Sequence, residues 1–427
     1  MNNTCQVIWS SVLQQMVVVS ELTSAVGKTH SSRKSTTCKA GAISLLAASI
    51  ALAFTPPALA QTVATNALPT GGSVVAGQAT ISSNAANMLV QQSSNRAVID
   101  WGGFNVGSNA QVNFAQPSAQ SATLNRVTGP EASTILGRIT APGQVIITNG
   151  NGVFFGRDAT IDVGSFVATT HSISNDNFMN GRMVFERQGA TGSVVNEGEI
   201  KAKLEGYVAL LAPEVRNDGV IIANKGAVAL AAGETIELQL STTQQLQGVR
   251  VEAGQWKALV DNRHAIEAEG GLVVLSAQAL REVQAGVVLH SGSINANSLT
   301  NVGGRVMLLA DEVTLQSGST ITATGPQGGG TVLVGGDWQG SSNLPQATRV
   351  NMANSASIDA SATDNGNGGK VVLWSDVRNA DSVTSALGSI KATSGVNGGD
   401  GGQVETSGHA INMAGFRVDT RSVSGAG

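Results

Sequence analysis

The 427-residue sequence has little of what a catalytic or disulfide-braced protein uses. It holds two cysteines, one tyrosine and nine prolines, with 13% charged and 4% aromatic residues. Both cysteines, Cys5 and Cys38, fall within the first 60 residues. A chain that loses that stretch has no disulfide, although oxidising compartments usually favour them. The later histidines, His171, His264, His290 and His409, lie far apart with no cysteine or second histidine nearby. Such scatter argues against the usual metal sites and predicts isolated exposed or capping imidazoles. No lysine–arginine cluster follows residue 60, which argues against nucleic acid and anionic lipid as partners. The first 60 residues hold four of the 25 basic and one of the 29 acidic residues, leaving 21 against 28, a net charge of about −7.

Motifs of chemistry are equally scarce. Gly366-Asn367-Gly368-Gly369-Lys370 has the wrong spacing for a phosphate loop, and Val371 follows the lysine. No Gly-x-Ser-x-Gly elbow is present. Asp359, Asp364 and Asp376 are the carboxylates a glycan-cleaving solenoid could use, but turns also favour aspartate. Gly335-Gly336-Asp337 and Gly399-Asp400-Gly401-Gly402 lack the spacing of calcium-binding nonapeptides and read as turns. Neither catalytic residues nor a metal or cofactor is expected.

What the chain does have is glycine, 52 residues of it, in a recurring phrase. Gly206-Tyr-Val-Ala-Leu-Leu-Ala and Gly226-Ala-Val-Ala-Leu-Ala-Ala are followed by Gly271-Leu-Val-Val-Leu and Gly304-Arg-Val-Met-Leu. Gly330-Thr-Val-Leu-Val and Gly369-Lys-Val-Val-Leu complete the set. A strand-length apolar run that returns every few tens of residues marks a stacked repeat. Between these runs lie polar-flanked strands such as Ser293-Ile294-Asn295 and Ser357-Ile358-Asp359. The pattern predicts an all-β solenoid of parallel coils, with glycine and asparagine turning the corners at positive φ. Irregular spacing predicts insertions, with one from Leu240 to Arg263 and Gly/Asn/Asp-rich loops at 324–330 and 361–369.

Residues 1–60 read as a secretory signal. Lys28, Arg33, Lys34 and Lys39 precede an apolar run from Ala40 to Phe54, and Ala58-Leu59-Ala60 offers small residues for cleavage after Ala60. Residues 61–186 hold most of the phenylalanines, and residues 187–427 carry the repeat, so a boundary is placed near 186. The sequence stops just after Phe416-Arg417-Val418 without an obvious polar cap, which predicts a longer parent chain.

Residues 74–185 contain Ala97-Val98-Ile99-Asp100-Trp101, Phe104-Asn105-Val106, Leu124-Asn125-Arg126-Val127-Thr128-Gly129 and Phe166-Val167-Ala168-Thr169-Thr170. In these strings the chain resembles the secretion domain of the two-partner secretion exoproteins, the filamentous haemagglutinin-type adhesins and haemolysins. The family's Asn-Pro-Asn-Gly turn is matched by Asn149-Gly150-Asn151-Gly152 before Val153-Phe154-Phe155-Gly156, with Gly150 in place of proline. Met1-Asn2, Trp9 and the long lead before Lys28 are similar to the family's extended signal peptides.

The resemblance implies a right-handed parallel β-helix with an N-terminal cap and small extra-helical β elements. It implies export through the periplasm of a Gram-negative bacterium and through a partner outer-membrane β-barrel transporter with periplasmic recognition domains. Asn125, Arg126, Asn149, Gly150, Asn151 and Gly152 are the implied recognition residues. At the cell surface the chain is expected to be an adhesin that touches a host or neighbouring-cell receptor or glycan. A carrier of a haemolysin or contact-dependent toxin, a haem-acquisition exoprotein and a polysaccharide-active enzyme are the alternatives.

Overall fold

A short apolar strand with one buried face needs a neighbour on each side, and stacking coil upon coil provides both. The computed structural model describes residues 63–280 and 284–423, plus the backbone of two short strands near the N-terminus. It divides into two units, Met1–Ala60 and Gln61–Gly427. In the first, Cys5–Ser10 pairs antiparallel with Gln15–Ser20. The expected apolar run and the cleavage residues Ala58 and Ala60 lie outside the described residues.

The second unit is a parallel β-helix. Each coil lays down three strands in turn, which stack into sheets of 12, 10 and 13 strands that we call A, B and C in the order the chain visits them. Sheet A holds the recurring phrase, as in Tyr207–Leu211 and Ala227–Ala232. In sheet B, Glu214–Asn217 is followed by Ala258–Asn262. In sheet C, nine successive rungs from Ile139 to Ile390 place an isoleucine directly over an isoleucine. The valine and leucine of each sheet A phrase, such as Val228 and Leu230, face the same core. Each such fully buried aliphatic side chain contributes about 1.5–3 kcal/mol.

The six phrase glycines do not turn corners at positive φ, contrary to the expectation from sequence. Positive φ falls one residue earlier in the first three copies, at Glu205, Lys225 and Gly270. The glycines themselves answer to crowding. A Cβ on Gly226 would lie 1.7 Å from the carbonyl oxygen of Gly206, and one on Gly271 would lie 2.1 Å from that of Gly226. The same oxygens accept rung-to-rung hydrogen bonds from Ala227 N (3.2 Å) and Leu272 N (3.0 Å). The coil pitch set by these bonds leaves no room for a side chain at that corner.

Antiparallel strands close the N-terminal end. Ser73–Ala76 runs against Arg96–Trp101, and Ala79–Asn84 against Asn87–Gln92, which then begins the parallel stack. The aromatic-rich stretch fills the first coils, with Trp101 edge-on to Phe104 (5.5 Å) and Phe155 to Phe166 (5.7 Å). The three sheets continue past residue 186.

Two insertions build a lobe on the outer face of sheet A. One carries the helix Asn175–Met179 and the strand Met183–Glu186; the other carries Thr235–Leu240 and Leu246–Glu252. The three strands pair antiparallel. Phe178, Phe185, Ile236 and Leu238 cover Val98, Leu124, Ile146 and Val167. The second insertion therefore begins before Leu240, and Ala258–Asn262 is already back in sheet B. The Gly/Asn-rich loops stack too, through bridges Gly325 to Ala362 and Asn365 to Gly398.

Gly226→Ala should lower stability in denaturant unfolding by about 1–3 kcal/mol, the usual cost of overpacking. Gly150→Ala, where only ordinary contacts await a Cβ, should change it far less. A chain cut after Glu186 lacks the strand Thr235–Leu240 and should aggregate or bind a hydrophobic dye. One cut near residue 280 should fold cooperatively.

Candidate functional site

The residues implicated by sequence come together where sheet A hands over to sheet B in two adjacent coils. The strand Ala122–Val127 stacks on Gln144–Thr148 with Arg126 opposite Thr148. Asn149 therefore leaves sheet A directly above the preceding coil's corner. Its backbone carbonyl accepts from Gly152 N (3.0 Å), closing a four-residue turn. Its side-chain oxygen accepts from Asn151 N (3.0 Å), the local bond that makes asparagine a turn residue.

The remaining donors reach down one coil. Asn149 Nδ2 donates to Glu131 O and Ser133 Oγ, both at 2.9 Å. Asn151 Nδ2 donates to Gly129 O at 3.1 Å. Gly152 sits at φ 122°, a conformation that suits glycine, and its carbonyl accepts from Ser133 N at 3.0 Å. Gly150 has no such requirement; a Cβ there would meet only Ala190 Cβ at 3.7 Å and Thr170 O at 3.9 Å. The asparagines thus hold the turn without the proline.

Asn125 and Arg126 point to opposite faces of their strand. Asn125 is fully buried between Ile99 and Ile147. It accepts from Trp101 Nε1 (3.0 Å) and donates to Ile146 O (3.1 Å), which satisfies a buried indole. Arg126 faces outward, pairs with Asp100 at 3.6 Å and donates to Asn175 Oδ1 at the start of the lobe helix. It lines a recess of about 270 Å³ together with Ser172, Ser174, Asn177 and Glu186. Of the six residues, Gly150 and Asn151 are exposed and Arg126 is partly so. Asn125, Asn149 and Gly152 are buried, and they shape the corner rather than present it.

The histidines divide differently from the sequence expectation. His264 and His409 are exposed, but His171 and His290 are fully buried. His171 Nε2 lies 2.9 Å from Gly233 O in the lobe, so it donates there, and burial holds the imidazole pKa down at about 4. His290 ends a buried polar column, Asn196–Asn217–Asn262–His290, which sequence reading passed over. The signal was present as a Val-x-Asn or Val-x-His ending on successive sheet B strands, from Val194 to Asn196 through Val288 to His290. Two of the three aspartates cap a local turn, Asp359 accepting from Ser361 N and Asp376 from Arg378 N, whereas Asp364 accepts from Asn397 Nδ2 in the next coil.

The model of the TPS secretion domain matches residues 60–323, and that of the extended signal peptide of the type V secretion system matches residues 1–50. Two curated relatives from Haemophilus influenzae are both named heme/hemopexin-binding protein. One is 36% identical over 262 residues, 60% of this chain and 28% of its own length. The other is 29% identical over 269 residues, 58% of this chain and 29% of its own length. The chain thus spans less than a third of the curated relatives it matches. The crystal structure of the HMW1 secretion domain from Haemophilus influenzae superposes with a TM-score of 0.64 and 28% identity, covering 83% of this chain and 99% of that one.

Gly150→Pro should be accepted, because Gly150 is outside the positive-φ region and follows Asn149, the first residue past the strand Gln144–Thr148. Differential scanning calorimetry should show stabilisation of about 0.4–1 kcal/mol, the gain from a stiffer unfolded chain.

Proposed function

The chain belongs to the TPS secretion domain family, and on that premise we propose that its corner at Arg126, Gly150 and Asn151 is the surface its transporter reads. Membership makes it a Gram-negative protein that leaves through the periplasm, and it implies a partner outer-membrane transporter. The observation that carries the proposal is the division of labour at that corner. Three residues shape it from within, and three remain at the surface of the first coils after the cap. A periplasmic recognition domain of the transporter would meet these coils first. The closed end would then serve as the folding nucleus on which later coils dock.

Beyond export, our reading is an adhesin-type exoprotein without a catalytic site. The aspartates that could serve a glycan-cleaving enzyme already accept hydrogen bonds, Asp359 and Asp376 in local turns and Asp364 from Asn397 of the next coil. A second reading, capture of a haem-carrying protein, is favoured by the names of the two curated relatives. Binding of the purified secreted chain to erythrocytes and to haem-loaded hemopexin, side by side, separates the two.

Export itself is tested in cells carrying the partner barrel. Asn151→Ala and Arg126→Ala should cut the secreted amount severalfold while leaving thermal stability within about 1 kcal/mol, as expected of exposed positions. Asn149→Ala should lower stability and export together, since it strands buried partners. Full secretion of Asn151→Ala and Arg126→Ala would refute a recognition role.

A further inference from the structure

Inside sheet B, four fully buried polar side chains stand directly over one another: Asn196, Asn217, Asn262 and His290. Phe155 precedes them in register and Leu315 follows. Asn196 Nδ2 donates to Asn217 Oδ1 at 2.8 Å, and Asn217 Nδ2 donates to Asn262 Oδ1 at 2.8 Å. Asn262 Nδ2 lies 3.1 Å from His290 Nδ1 and 3.3 Å from His264 O.

Backbone groups of fixed polarity terminate the column at both ends. At one end Gly198 N donates to Asn196 Oδ1 at 3.1 Å. At the other, His290 Nε2 lies 3.2 Å from Thr320 O in the next coil. A peptide N–H can only donate and a peptide carbonyl can only accept. Every amide in between must therefore point one way. The imidazole must carry its proton on Nε2 and accept on Nδ1.

We propose that this column is a proton-operated latch on coil register. A second proton on His290 places an N–H donor against the Asn262 amide donor. Flipping Asn262, then Asn217 and Asn196, moves that conflict to the Gly198 N–H and also turns Asn262 Oδ1 onto the His264 carbonyl. Protonation thus leaves one opposed donor pair in the column wherever the amides turn, and coils 196 to 320 lose a fully satisfied core. The groups facing the imidazole are the Asn262 side-chain amide, the backbone carbonyls of Asn262 and Thr320, and Leu315 of the next rung. Among the described residues no charged side chain contributes to its titration.

Burial, the largest cause, lowers the His290 pKa to about 4, against backbone hydrogen bonds to Thr320 and Asn262. The folded state is therefore neutral where the unfolded imidazole, near 6.5, begins to charge. As pH falls from about 6.5 to about 4, the unfolded chain takes up the proton first. The contribution of His290 to the folding constant should drop about tenfold per pH unit over that window and level off below it, and His171, also held at about 4, adds a like contribution.

The test is an NMR titration of the His290 Cε1–H signal in the secreted chain, assigned by its absence in His290→Asn. Asn196→Leu removes the fixed end three rungs away and lets Asn217 and Asn262 turn. It should raise the His290 pKa by about one unit, a tenfold easier protonation. An unchanged pKa overturns the latch. If Asn196→Leu does not fold, the side-chain amide signals of Asn196 and Asn217 in the native chain decide. They should move together with the His290 titration, and their standing still overturns the proposal. His171→Gln, which can still donate to Gly233, separates the other buried imidazole and should leave the coupling intact.

Discussion

Everything in this molecule depends on one spacing, the rise between coils set by parallel backbone hydrogen bonds. At roughly 4.8 Å per rung, each residue is locked over its counterpart, so a favourable side chain is favourable again in the next coil. The nine-isoleucine ladder of sheet C is the apolar consequence, and the asparagine column of sheet B is the polar one. The phrase glycines record the same spacing as a prohibition. Where a carbonyl must accept from the coil above, the corner next to it has no volume for a Cβ.

The turn at Asn149–Gly152 obeys the same constraint. Asn149 and Asn151 use their amides to bond one coil to the carbonyls of the coil below, supplementing the backbone ladder where the chain leaves sheet A. Proline would restrict a turn by limiting φ before folding. Here the Asn151 N–H bond to Asn149 Oδ1 is local, and the rest of the restriction comes with stacking, from side-chain amides whose partners lie in the previous coil. Coil docking thus completes a turn that local bonds begin.

Much of the fold was legible because its periodicities are short. The alternate Val and Leu of the phrases reported the inward face of sheet A, with Val332 and Val334 inward in the Gly330 copy, and the phenylalanine-rich stretch marked the first coils. The lobe was only half legible. Its strand Thr235–Leu240 follows the Gly226 phrase directly, so the end of the coil and the start of the insertion look alike in sequence. The role of the glycines was misread because φ and steric contact with another coil leave the same residue behind. Buried His171 and His290 were missed for a similar reason: their partners are carbonyls and amides far away in the chain. The corner's identity was readable at Asn149 to Gly152, but not which of those residues face solvent, because alternation fails inside a turn.

The isoleucine ladder also separates how far the protein reaches from how many residues it contains. Consecutive rungs are 21 residues apart between Ile200 and Ile221 and 45 apart between Ile221 and Ile266. Both intervals advance the stack by one rung, because the extra residues go sideways into the lobe. From Ile139 to Ile390 there are eight steps, about 38 Å at the parallel-strand spacing. The β-helix behaves as a ruler graduated in coils, to which lateral modules can be added or removed without altering where its far end stands.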